Sequence, residues 1–292
     1  MKKISIAAAL VFCAVTASAQ VGISGKVGIW TDNNKVGASS TNTIVADPTS
    51  NFAITAVEKL GGGLTARAVV ESSMNGNTIN GTGTQLGDRQ GTVGIAGAIG
   101  SLDLGRNVHS QFLAITGNDA FDTLYGSVAG DVHNLRGLRF GNGAFVSLKP
   151  VKGITVNIDR SQQPGAESNA YSIAGKIGPV SATVARYTAG AETSEVIAGN
   201  ITIGATTVFY SHSEDRGVAK SKGDLIGTRH QVGAVTVKAS VGQTDRDVKA
   251  YSLGADYAFS KRTQAGVAVR KVNLAGTARD VEQIGVGLTH RF

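Results

Sequence analysis

The chain of 292 residues predicts an all-β fold, a transmembrane antiparallel β-barrel of about 16 strands. Three observations carry that prediction. The N-terminus reads as an export leader, the remainder alternates apolar with small or polar residues at a period of two, and tight turns alternate with longer polar gaps up to the C-terminus.

Met1-Lys2-Lys3 is followed by an uncharged stretch from Ile4 to Ala17 and by the triplet Ala17-Ser18-Ala19 before Gln20. A charged start, an apolar middle and a small-residue cleavage site are the three parts of a secretory signal peptide. The apolar part is about 14 residues long, short of the roughly 20 that a helix needs to cross a bilayer. Residues 1–19 are therefore expected to be a cleaved leader and residues 20–292 the barrel domain. Cys13, the one cysteine, leaves with the leader, so the exported chain must be held by a core or a closed barrel instead of disulfides. Every later apolar run is broken within a few residues by a charge, Gly or Asn, which leaves any membrane crossing to strands.

The composition agrees. There are 39 Gly and 4 Pro, and the mean hydropathy is +0.03. Such a chain suits many strands, each apolar on one face and small or polar on the other. The net charge is +7, two of it on Lys2 and Lys3. The mild excess that remains fits anion preference, contact with lipopolysaccharide, or neither.

From Val21 to Phe292 the chain divides into about 16 segments of the roughly 9–11 residues that a tilted membrane strand requires. Short connections are expected at Gly61-Gly62-Gly63, Gly100-Ser101, Val151-Lys152-Gly153, Gly178-Pro179, Gly204-Ala205, Gly233-Ala234 and Ser260-Lys261. Longer gaps lie between them, at about 32–50, 75–85, 109–134, 161–167, 189–193, 214–222, 244–247 and 273–279. Short periplasmic turns and longer outside loops in alternation are the plan of an outer-membrane barrel.

Within the segments the alternation is sustained. Val235, Val237, Ala239 and Val241 alternate with Thr236, Lys238, Ser240 and Gly242. Tyr251, Leu253, Ala255 and Tyr257 alternate with Ser252, Gly254 and Asp256. Charges thus fall on the small-residue face. A soluble sandwich also alternates, but its core calls for more Leu and Phe than this chain offers. Residues 92–99 have little polar face, which suits either a wall packed on a second subunit or one covered by an inserted loop.

Several stretches resemble the general porins of Gram-negative bacteria, the β-proteobacterial type in particular. They are "NFAITAVEKLGGGLTARAVVES" at 51–72, "DRQGTVGIAGAIGSLDLGRNVHSQF" at 88–112, "GLRFGNGAF" at 137–145 and "GVGLTHRF" at 285–292. Their order and spacing cover nearly the whole chain after the leader. The resemblance implies a 16-stranded barrel, commonly a homotrimer in outer-membrane lipid and lipopolysaccharide, with the third outside loop folded into the lumen as an eyelet for small hydrophilic solutes and ions. Residues 109–134 stand where that loop belongs. Asp119 and Asp122 occupy its acidic positions, and Lys26, Arg89, Arg106 and Arg139 match basic wall positions of the pore constriction. Either aspartate has an alternative role in capping a turn. Asn51 stands where the family often has arginine, and Arg67, on the same face as Glu71, is a candidate substitute. Phe292 resembles the terminal aromatic read as an assembly signal by the barrel-insertion machinery. Opposed carboxylates and guanidiniums across a narrow gap order water and sort ions. Further lumenal charges by parity are Lys176, Lys238, Arg270 and Arg291 against Asp159 and Asp256, so a weak to moderate anion preference is expected.

Other classes find little support. His109, His133, His212, His230 and His290 belong to no Gly-x-Ser-x-Gly or His-Glu-x-x-His signature, and neighbours such as Ser211 and His212 point to opposite faces of a strand, so no enzyme is expected. An adhesin or receptor would want larger loops than all but the first and third expected here. No metal-ligand spacing, phosphate loop or haem motif calls for a cofactor. Without a basic cluster, and with an export signal, no nucleic-acid partner is expected.

Overall fold

The computed structural model describes residues 19–74, 86–135, 137–163, 167–217, 220–274 and 280–292. The expected leader, apart from Ala19, lies outside the described residues. In chain order the first strands are β1 (Gln20–Val36), β2 (Ser39–Ala46), β3 (Asn51–Gly61), β4 (Leu64–Ser73), β5 (Gln90–Gly97) and β6 (Gly100–Val108). Two short helices follow, α1 (Ser110–Thr116) and α2 (Ala129–Val132). The chain continues with β7 (Arg139–Leu148), β8 (Ile154–Ser161), β9 (Ser168–Ile177), β10 (Val180–Ala189), β11 (Glu192–Ile203) and β12 (Thr206–Arg216). It ends with β13 (Ser221–Val232), β14 (Val235–Thr244), β15 (Lys249–Ala258), β16 (Thr263–Asn273) and β17 (Val281–Arg291).

Each strand pairs antiparallel with its sequence neighbour, and β17 closes onto β1 with Lys26 opposite Arg291 and Val36 opposite Val281. β2 and β3 both pair with β1, on its second and first halves. They are two parts of one wall strand, interrupted at Asp47–Ser50, so the barrel has 16 wall strands and closes at the seam between β17 and β1. Closure pairs the backbone of the wall strands with neighbouring strands all round the sheet, which is what a bilayer demands.

The faces are inverted relative to a soluble protein. Val184, Ile197, Tyr210, Ile226, Val241, Tyr251, Leu253, Val269 and Ile284 are exposed, and cross-strand pairing makes them a continuous outer band. Their inward neighbours Ser194, Ser211, Ser240 and Ser252 are buried. Greasy outside and polar inside is the membrane-barrel arrangement.

Six of the seven expected turns lie where the sequence places them, five of them on glycines; Gly61, Gly62, Gly63, Gly153, Gly178, Gly204 and Gly233 all have positive φ, which side chains with a Cβ resist. The seventh is displaced, since β5 and β6 meet at Ala98-Ile99 and not at Gly100-Ser101. The expected first gap, 32–50, is corrected more strongly. It is mostly paired strand that turns at Gly37-Ala38, with Asn33 Nδ2 donating to Asn42 Oδ1 at 2.6 Å. Its Thr, Ser and Asn content resembled a loop because neither face of this hairpin carries an apolar stripe.

The buried apolar residues are not in a sheet-to-sheet core. They gather where residues 109–135 lie on the inner surface: Ala114, Ile115, Val128, Ala129 and Val132 against Val196, Leu225 and Val272, and Phe121 against Trp30, Phe209 and Ala268. Phe140, Phe145, Ala170 and Tyr187 close the entrance to that segment.

Candidate functional site: the lumen

The segment between β6 and β7 starts with His109, whose Nδ1 accepts the Phe112 N–H at 3.2 Å and caps α1. Asp159 Oδ2 on β8 accepts the Ser110 N–H at 2.6 Å, and Gln111 Nε2 donates to Ser194 Oγ on β11 at 3.0 Å. α1 ends at Gly117, and Asn200 on β11 donates to Asn118 Oδ1 at 2.9 Å. The chain then makes a tight tip in which Asp122 and Thr123 have φ of 53° and 55°. Asp119 holds the tip, its carboxylate accepting from the Thr123 N–H at 2.7 Å and from Ser127 Oγ at 2.6 Å.

Three wall strands grip the tip. Arg229 on β13 donates to the carbonyls of Ala120 (2.6 Å) and Asp119 (2.9 Å) and pairs with the Asp122 carboxylate at 2.6 Å. Tyr125 stacks on Trp30 of β1 at 4.5 Å and donates its hydroxyl to Asp32. Trp30 lies so close to β17 that a Cβ on Gly287 would overlap its ring, which explains a glycine at that position. Phe121 lies under Lys238, which pairs with Asp256. On the way back α2 is tied by Arg270 to Asp131, and His133 places its two ring nitrogens 2.8 Å from Ser213 Oγ and Ser211 Oγ. Burial pushes the His133 pKa down to about 4, with the His212 charge adding to the effect.

The opposite wall, β3 to β7 with the adjoining half of β1, carries the basic residues singled out in the sequence. Arg89 Nε donates to Glu71 Oε1 at 2.6 Å and its Nη1 to the Pro48 carbonyl at 3.1 Å. Arg106 Nε donates to the Asp88 carbonyl at 2.7 Å. Arg139 faces Arg89, Arg106, Glu71 and Asp88, and its Nε is buried with no hydrogen-bond partner among the described residues. Burial works against the Asp88 charge, but the Ser73 donors and the guanidiniums of Arg89 and Arg139 outweigh it and hold that carboxyl below the usual range. Lys26 adjoins the group, paired with Asp47 at 3.3 Å and bonded to Thr49.

The structure therefore brings Lys26, Arg89, Arg106 and Arg139 onto one wall. It does not place Arg67 with them: its Nε donates to Asp103 Oδ1 at 2.7 Å, four residues nearer the turn than Glu71. Asn51 instead donates to Glu71 Oε1 at 2.8 Å. The two loop aspartates part ways, Asp122 being 59% exposed beside Arg229 and Asp119 only 1% exposed as the tip's cap. Asp119 thus does not present its carboxylate to the basic wall; three local donors have taken it. Phe292 closes the barrel seam, exchanging backbone hydrogen bonds with Gly25 at 3.0 and 3.1 Å. Arg229 was not singled out in the sequence, although it shares the parity of Leu225 and Gly227.

A closed barrel with an apolar outer band, a charged lumen and a loop on its inner wall is a transmembrane diffusion pore. A sequence model of the Gram-negative porin family matches residues 7–277, and the chain belongs to that family. Its place is the outer membrane, and it provides passive passage for small hydrophilic solutes. No curated protein matches by sequence. Among solved structures, the anion-selective porin from Comamonas acidovorans is similar with a TM-score of 0.81 and 21% identity, over 94% of this chain and 100% of that one. The trimer form of OmpT from Vibrio cholerae gives 0.70 and 11% over 94% and 100%. Salmonella typhi OmpF in complex with daunomycin gives 0.71 and 15% over 93% and 97%.

Proposed function

We propose that this porin favours anions weakly to moderately, through the arginines of its bare wall. The observation that carries the reading is the arginine excess: Arg89, Arg106 and Arg139 share two carboxylates, Glu71 and Asp88, and neither Arg106 nor Arg139 forms an ion pair among the described residues. A cation left uncompensated on a low-dielectric wall concentrates counter-ions in front of it. Lys26 and Asp122 line the same passage with their partners Asp47 and Arg229, and Arg67 with Asp103 lies nearer the periplasmic mouth. The anion-selective Comamonas porin supports this reading by its likeness in fold.

The proposal extends to assembly. The chain is exported with residues 1–19 removed, is inserted by machinery that reads Phe292, and forms a homotrimer, a form also seen for OmpT. The outward charges Arg186, Glu195, Glu214, Arg216 and Lys222 sit at one end of β10 to β13 and meet lipopolysaccharide there. The chain acts as a channel and not as an enzyme.

The test is the reversal potential of single channels in a planar bilayer under a tenfold potassium chloride gradient. A sign denoting anion preference is expected, moved towards zero by Arg106→Gln and by Arg139→Gln and left in place by Lys261→Gln at a periplasmic turn. Cation preference in the unmodified protein refutes the proposal.

A further inference from the structure

The two ends of the barrel carry their charges differently. At the outer end Lys35, Arg160, Arg186, Arg216, Lys222 and Lys271 each pair with a glutamate. At the periplasmic end Lys149 and Lys152 stand between β7 and β8, Lys176 just before the turn after β9, and Lys261 and Arg262 in the turn after β15. Lys59 stands just before the glycine turn that begins at Gly61. All of these periplasmic cations are exposed, and none forms an ion pair among the described residues.

The periplasmic turns hold no side-chain carboxylate that could compensate them. Among the nearest acids, Asp103 and Asp256 are already paired, with Arg67 and Lys238, and Asp159 is buried at the start of α1 on Ser110. Glu58 shares the parity of the exposed Ile54 and points outward. The terminal carboxylate of Phe292 adjoins Arg291, and these two offset each other. Lys176 shares the parity of the buried Ser172, and Lys149 lines an inner-surface cavity with Arg67 and Asp159, so both belong to the lumen side of the mouth. A patch of one sign at the mouth of a low-dielectric tube concentrates the opposite ion there. Each cation acts from a wide, watered mouth, so a single substitution moves little; their sum makes one end of the channel basic and leaves the other balanced.

We propose that this basic periplasmic rim makes the channel rectify, passing anions more readily from the periplasm to the outside than in reverse under equal and opposite voltages. When the periplasmic side is negative, anions enter through the basic mouth while cations arriving from the outer end are held back before it. Salt then builds up in the lumen and the current rises. With the voltage reversed, anions leave through the rim faster than the balanced outer end supplies them, and the lumen is depleted. The proposal rests on the chain being a pore and is separate from the arginine wall, which sets the sign of selectivity at the constriction.

The experiment is the single-channel current at equal and opposite voltages with the same potassium chloride solution on both sides. No salt gradient exists there, so ion selectivity alone produces no asymmetry and the arginine wall is tested apart from the rim. Orientation is read from Ala205→Cys, in an uncharged periplasmic turn, by labelling with a bulky neutral maleimide from one side. At about 0.1 M salt, where charges act over roughly 10 Å, the current with the periplasmic side negative is expected to exceed its reverse by about twofold. At about 1 M the reach falls to roughly 3 Å and the ratio is expected to approach one, a comparison that needs no variant. Combined Lys149→Gln, Lys152→Gln and Lys176→Gln is expected to bring the low-salt ratio close to one, whereas Lys271→Gln at the outer end is expected not to lower it. Equal currents at low salt, a larger current of the opposite sign, a ratio that persists at high salt, or a ratio untouched by the triple substitution overturns the proposal.

Discussion

The lumen has two walls built on the same alternating pattern, and they treat charge in opposite ways. From β8 to β17, and onto Trp30 and Asp32 of β1, residues 109–135 lie over the wall, and Arg229, Lys238 and Arg270 beneath them each meet a carboxylate, on Asp122, Asp256 and Asp131. From β3 to β7 the described residues of that segment leave the wall, and three arginines crowd around two carboxylates. A lumenal charge is structural where the loop desolvates it, because an unpaired buried ion is costly. It is free to act on solutes where water still reaches it. Position in the alternating pattern alone does not distinguish the two cases; the cover does.

The largest expected effect comes from removing that cover. Trp30→Ala takes away the buried ring under Tyr125 and leaves a void between β1, β16 and β17. Large-to-small changes of this kind cost about 3–5 kcal/mol. Loop docking, followed by limited proteolysis within 109–138, is expected to weaken by that order. Arg89→Ala on the bare wall, which holds no such core, is expected to leave the proteolysis rate within twofold. Equal rates for the two variants would show that the covered wall is not what holds the loop.

Next comes acid. His133 lies in the connection between strands, buried and neutral, with its pKa down at about 4 against an ordinary value near 6.5. A depressed folded-state pKa means that the docked loop is at full stability above the ordinary value. Stability is lost as pH falls towards 4, by about 3 kcal/mol in all. Protease accessibility of the loop is expected to rise between pH 6.5 and 4, and His133→Gln is expected to remove that dependence. A profile flat over this range in the unmodified protein counts against a buried neutral His133.

A smaller effect separates the walls by their ion selectivity. Arg139→Gln is expected to reduce the anion-to-cation permeability ratio about twofold, since it leaves two arginines facing the two carboxylates and removes the excess. Arg229→Gln is expected to change the ratio less, because it removes a cation and in the same step releases the carboxylate of Asp122. It also strips two carbonyls of their donor. Its main consequence belongs to the tip, about 1–3 kcal/mol of docking. The reverse order, selectivity falling mainly with Arg229, would assign the sorting of ions to the loop.

Much of the fold was legible in the sequence because it is written in local chemistry. Turns at Gly178, Gly204 and Gly233 follow from residues that tolerate positive φ, and wall strands follow from alternation such as Val235 to Val241. The hairpin at Gly37 was not legible, because its polar strands carry no apolar stripe. The site was legible only in outline. Arg89, Arg106 and Arg139 could be picked out, but whether each is paired depends on residues far away in sequence. Arg67 meets Asp103 across the width of β5, 36 positions on. Asp119 and Asp122 are the same residue three places apart, and only the turn between them decides that one caps and the other faces Arg229.

The smallest effect lies outside both walls, and it calibrates the comparison. Arg186, Glu195, Arg216, Glu214 and Lys222 alternate in sign across the outer face of β10 to β13, with side chains from 29% to 58% exposed. Exposed pairs contribute only about 0–1 kcal/mol, because solvent screens them and long side chains lose entropy when held. Glu195→Ala breaks two of the four contacts, to Arg186 and to Arg216, and still should move the unfolding midpoint of the detergent-solubilised barrel by no more than a value of that order. The same substitution leaves Arg186 and Arg216 facing each other, so its cost should grow as ionic strength falls. A loss as large as that of Trp30→Ala would mean that these outward charges are desolvated by a neighbour, and the outer face of β10 to β13 would then have to be counted as a covered wall as well.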